Sequence, residues 1–134
     1  MMERLRPVCR VATGVLFVIA GIGHLVVPDK LVVIIPPYLS HPRLIVLVSG
    51  LLEIAGGLGL LWTRMARKAA LGLGLLLMSF LPANIHMAVN GAQIPGWEMP
   101  AWVLWARLPG LLVFLAWFHW CTLDTRSPGA SPGA

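Results

Sequence analysis

Glu53 is the residue that most needs a reason to be where it is. It stands near the middle of LIVLVSGLLEIAGGLGLLW (44–62), a run apolar enough to cross a bilayer. A charge at that depth costs about 2.5–3.5 kcal/mol on insertion scales, so it is kept where it has a partner or a task. Arg107, in another apolar run, is the partner the sequence offers, and His24 and Asn84 add polar groups in two further runs. These residue types can share a proton, neutralise a buried charge and donate hydrogen bonds to a carbonyl. The candidate site is therefore His24, Glu53, Asn84 and Arg107. No Ser-His-Asp set, phosphate-binding loop or paired-His motif accompanies them, so no catalytic residue can be assigned. One exposed His with one Glu is too thin for a metal site, and none is expected.

Depth along the helices supports the grouping. Glu53 follows Pro42 by eleven residues and Arg107 follows Pro100 by seven. If both helices enter from the same face, the offset is about one turn, roughly 5–6 Å, which an extended arginine can bridge. Gly14, Phe17, Gly21 and His24 recur at spacings of three and four and share a face, as do Gly50, Glu53 and Gly57. Small residues beside a polar one let helices approach and polar groups meet. Asn84 and His86 lie about 200° apart on a helix. Asn84 is taken as the inward one and His86 as interfacial, unless Pro82 distorts the turn. An alternative stays open, in which these polar groups only fix helix register.

The elements that must position them are four apolar spans: 8–27, 44–62, 69–89 and 101–121. Each is close to the roughly 20 residues a helix needs to cross the hydrocarbon core. The sequence predicts an all-α fold, a four-transmembrane-helix bundle over residues 1–122. SPGASPGA near the end cannot build a core, so 123–134 is expected to be a disordered tail. The run from Val11 to Val27 is long for a signal peptide and reads as a retained first span. Leu31 to Ile35 is too short to span and is expected at the interface, stopped by Pro36-Pro37.

Composition agrees. Of 134 residues, 58% are hydrophobic and only 11% charged, against about 25% charged in soluble domains. The net charge of +5 does not form a nucleic-acid-binding stripe. Arg4, Arg6 and Arg10 precede the first span, and Arg64, Arg67 and Lys68 fill the second loop. The positive-inside rule then predicts both termini in the cytoplasm. Trp97, Trp102 and Trp105 mark one membrane interface, and Trp62, Trp117 and Trp120 the other. With that topology Cys9 and Cys121 lie at the cytoplasmic face and are expected to be free thiols.

Four stretches carry a family resemblance: GIGHLVVPDKLVVIIPPYL (21–39), SGLLEIAGGLGLL (49–61), LPANIHM (81–87) and WARLPG (105–110). Together they resemble the DoxX-like family of small bacterial inner-membrane proteins. The resemblance implies four transmembrane helices in the bacterial inner (plasma) membrane. It also implies a link to quinone-dependent oxidation or to membrane complexes of redox proteins. Its motif positions fall here on His24, Glu53, Asn84 and Arg107. Relatives often carry a Gln two residues after the Arg-Leu-Pro, where this chain has Leu111.

The leading expectation is a subunit or assembly partner of a membrane-associated redox system, contacting the lipid bilayer and a redox partner protein. The alternative is a quinone-reactive oxidoreductase, with His24 or Glu53 taking protons and Arg107 or Asn84 polarising a carbonyl. A small lipid or solute carrier is the third expectation, disfavoured because no helix reads as broken.

Overall fold

The computed structural model describes residues 1–122. The expected tail, 123–134, lies outside the described residues. Every regular element among the described residues is helical: α1 (Met2–Val26), α2 (Pro28–Leu31), a 3-10 turn (Val32–Ile34), α3 (Pro42–Leu61), α4 (Ala66–Ser79), α5 (Leu81–Asn90) and α6 (Ala101–Thr122). Four stretches are long and apolar enough to cross a membrane: Met2–Val26, Pro42–Leu61, Ala66–Asn90 and Ala101–Thr122. No more than 33% of the most apolar window of any span is buried within the protein. Leu16, Leu51, Leu75 and Val113 instead stand exposed along the spans. Lipid is the solvent such an exterior requires, and contact with a bilayer follows from it.

The tightest packing joins α1 to α3, and glycine makes it possible. A Cβ on Gly21 would sit 2.5 Å from the carbonyl oxygen of Gly50, and one on Gly50 would sit 2.9 Å from that of Gly21. Gly14 and Gly57 make the same reciprocal contact two turns away, at 2.9 and 2.6 Å. Pairing 14 with 57 and 21 with 50 also fixes the two helices as antiparallel. Backbones meeting this closely leave room for no side chain. On one side of the contact, Leu60 and Leu73 pack a nearly solvent-free core with Phe17, Leu77 and Phe118.

α6 packs on α1, α4 and α5. Only 11% of its most apolar window is buried, the smallest share of the four spans. Phe17 of α1 meets Phe114 and Phe118 of α6 at centroid distances of 6.4 and 6.1 Å. At the end where α1 begins and α6 finishes, Cys9 and Cys121 are joined in a disulfide, with Cα atoms 6.1 Å apart. This corrects the expectation of two free thiols. A separation of 112 residues hides the pairing, which exists because the first and last spans are neighbours whose termini lie at the same level. Arg6 stacks over the Trp120 ring, 5.2 Å from its centroid, beside the bridge.

The third span is interrupted, where the sequence suggested an unbroken helix. α4 ends at Ser79, Phe80 forms a turn, and α5 restarts at Leu81 with Pro82 in its first turn. Proline has no N–H to give the carbonyl four residues earlier and clashes with it, which breaks the helix there. Segment 28–39 folds as a short helix and a 3-10 turn, then turns sharply at Pro36, which is fully buried. His41 takes a left-handed conformation (φ 57°) before Pro42 opens α3. An exposed ion pair from Arg43 to Asp29, 2.8 Å, ties the end of this segment to its start.

Candidate functional site

Glu53 and His24 are delivered by packing rules visible in their own helices. On α3 the inward stripe is Val46, Ser49, Gly50, Glu53, Gly57 and Leu60. Glu53 is thus carried into the bundle by the residues that bring α1 and α3 together. His24 follows Gly21 by three residues and leans on Gly50, where any added Cβ would lie 2.6 Å from its own. That glycine gives the imidazole room to turn towards Glu53, one helical turn along α3.

The result is a contact of 2.9 Å between His24 Nδ1 and Glu53 Oε2, with 21% of the His side chain and 5% of the Glu side chain exposed. The expected Glu53–Arg107 pair is therefore replaced by Glu53–His24. Counting residues from the helix starts gives depth, but not which helix stands beside α3. The neighbour is α1, whereas Arg107 rides on α6. The ring N–H is not directed at Oε2, so neither atom has an aligned hydrogen-bond partner although they lie at ion-pair distance. Both retain capacity for a third group. Phe80 stands edge-on to the imidazole, ring centroids 6.4 Å apart at 79°.

Asn84 spends its amide N–H on the carbonyl of Phe80, at 2.9 Å, at the break in the third span. Its backbone N–H goes to the same carbonyl, at 3.0 Å. Asn84 therefore braces the break. Arg107 is exposed, so it does not belong to a buried group as the sequence suggested. Its Nη1 reaches Met87 Sδ at 3.9 Å, and among the described residues it has no ion pair. His86 bonds Asn90 through its Nδ1 at 2.8 Å and takes no part in the cavity, in line with its outward assignment.

All four candidate residues line one cavity of about 640 Å³ between α1, α3 and α4–α5. Its walls are mainly apolar, from Leu52, Leu76, Leu77 and Phe80 among others, and segment 28–39 covers it with Leu31, Ile34, Ile35, Pro36 and Leu39. The exposed side chains of Leu44, Val48 and Leu52 also belong to its lining. The cavity therefore opens sideways, towards the surface that faces lipid. Its size falls in the range of small-molecule sites, which are apolar with a few placed polar groups. Ser49, Phe80 and the covering segment were not legible as site residues. Their signal was indirect: Ser49 shares the inward stripe with Glu53, and Pro36-Pro37 bends the segment back over the cavity. No group of three or more potential metal ligands is found among the described residues.

Residues 13–122 match the model of a family described as a domain of unknown function, DUF8561. The chain belongs to the DUF8561 family. No curated protein and no solved structure matches it. The matched stretch contains all four candidate residues, the rest of the cavity lining and Cys121, while Cys9 lies before it. In this DUF8561 member the cavity is thus built entirely by the family's own residues, and the disulfide reaches outside them.

Proposed function

We propose that this protein is a DoxX-like integral-membrane subunit of a redox system, lying in the bacterial inner membrane with both termini in the cytoplasm. Its cavity seats a small amphipathic ring of the quinone class. The observation that carries this reading is the His24–Glu53 contact on the wall of a lipid-facing apolar cavity, with neither atom engaged in an aligned hydrogen bond. A quinone supplies two-electron, two-proton chemistry when bound. The chain's own part is to surround the ring with Leu52, Leu77 and Phe80, and to keep water from it. Glu53 and His24 stand 2.9 Å apart on the wall, so a proton can be held at Nδ1 or at Oε2 beside the ring's oxygen. Asn84 braces the wall. The basic loops, Arg4 to Arg10 and Arg64 to Lys68, support the orientation.

The test is extraction. The protein purified in mild detergent is expected to carry about one quinone per chain. His24→Ala should lose it without loss of helicity. Wild-type protein free of quinone after reconstitution with ubiquinone-containing vesicles would overturn the reading. The break at Phe80–Pro82 favours a second reading, a small lipid or solute carrier, because interrupted spans line transport sites. Vesicle uptake without quinone retention would select it.

A further inference from the structure

Arg107 is the charged group that the His24–Glu53 reading leaves unexplained. It lies six residues into α6, about 9 Å along the helix from its first residue, on the stretch that carries Trp102 and Trp105. A guanidinium offers five donors in a planar fork, and among the described residues its hydrogen-bond partner is a methionine sulfur at 3.9 Å. Beside it, between α4–α5 and α6, runs a second cavity of about 470 Å³, floored by Leu77, Val103, Ala106, Leu111 and Phe114. Gly110 lines this cavity as well, and a Cβ added there would meet nothing within 4 Å. The surface thus combines one uncompensated fork of donors with an apolar trough on the helix least covered by the protein itself.

We propose that this trough is a binding site for an anionic phospholipid, with Arg107 holding the phosphate and one acyl chain lying along α6. A planar fork matches a phosphate in two parallel bonds. Charge complementarity selects the anionic lipid, because a zwitterionic headgroup brings its own cation to the phosphate. The depth is right, since a long arginine reaches from a shallow position in the span to the headgroup level while its stem stays among apolar groups. Leu77, Phe80, Asn84 and Arg107 line both cavities, but His24 and Glu53 line only the first and Gly110 only the trough, so His24→Ala and Gly110→Leu separate this site from the quinone reading.

The full chain, purified in mild detergent, is offered dioleoyl phosphatidylglycerol, dioleoyl phosphatidylcholine or oleic acid, and retained lipid is counted by native mass spectrometry. The wild type is expected to hold one phosphatidylglycerol about tenfold more tightly than phosphatidylcholine, the effect of one strong charge-assisted contact. Arg107→Gln should lose that preference, and Arg107→Lys should keep part of it. Gly110→Leu fills the trough without touching a polar group and should also release the lipid. It carries the test if Arg107→Gln does not fold, which circular dichroism shows. Equal retention by the wild type and Gly110→Leu would overturn the proposal, as would oleate displacing phosphatidylglycerol at equal concentration. Loss of quinone from His24→Ala with lipid retention intact would leave this site standing.

Discussion

Removing one member of a buried polar contact leaves the other without its neighbour, and that cost decides what His24 and Glu53 are to each other. His24→Ala strands a carboxylate that is 4% exposed and is expected to cost about 3 kcal/mol. Glu53→Leu should cost less, because leucine fills the space and the His24 side chain keeps 21% of its surface exposed. Arg107→Leu should cost under about 1 kcal/mol, since it breaks only a long sulfur contact. Thermal melts in one detergent would rank the three. A larger loss for Arg107→Leu than for His24→Ala would restore the pairing that the sequence suggested. The identity of the carboxylate as the central group was legible, because nothing else in 44–62 is charged. Its partner was not. Distance along a helix is encoded in residue count, whereas the choice between two cationic neighbours depends on which helices touch. The glycines held part of that answer. Gly21, Gly50 and Gly57 predicted inward faces, and those faces turn out to press α1 on α3 and so bring His24 to Glu53.

Among the elements, the α1–α3 contact is the one most sensitive to added volume. Gly21→Ala or Gly50→Ala drives a methyl group against backbone and should cost about 1–3 kcal/mol. Gly23→Ala is the control, because its Cβ would meet nothing within 4 Å; it should be neutral or slightly stabilising, since alanine is the better helix former. Melting temperatures of the three variants would check this. Three of the four spans were readable from hydropathy to within about three residues, because a bilayer imposes one length on every crossing helix, whereas α1 begins six residues before the expected start at residue 8. The interruption at Phe80 was not, although Pro82 marks its place: in a membrane helix a proline is tolerated when nearby groups satisfy the freed backbone. Here Asn84 does part of that by bonding the Phe80 carbonyl. Pro82→Ala is expected to straighten the span and shrink the cavity. Weaker quinone retention with unchanged melting would be the sign of it.

Over the whole molecule, two cues meet at one end. The basic clusters and the Cys9–Cys121 bridge share the end where α1 begins and α6 finishes. Basic clusters mark the cytoplasmic side, where structural disulfides are rare. With the proposed topology, the two thiols should be reduced in growing cells and should couple once membranes are isolated in air. Acid quenching followed by maleimide labelling reads the difference, and a bridge already closed at the quench would reverse the topology. Composition made the membrane environment plain, because an 11% charged chain cannot clothe itself for water. The link between its two ends was beyond it, since the bond depends on spans that are adjacent in space and remote in sequence.

That bond turns a linear polypeptide into a closed loop from residue 9 to residue 121. A protease that cuts the turn at 62–65, between α3 and α4, would therefore separate nothing. The nicked protein should migrate as a single band without reductant and split into two fragments of similar size once dithiothreitol is added. Two bands before any reductant would mean the loop had never been closed.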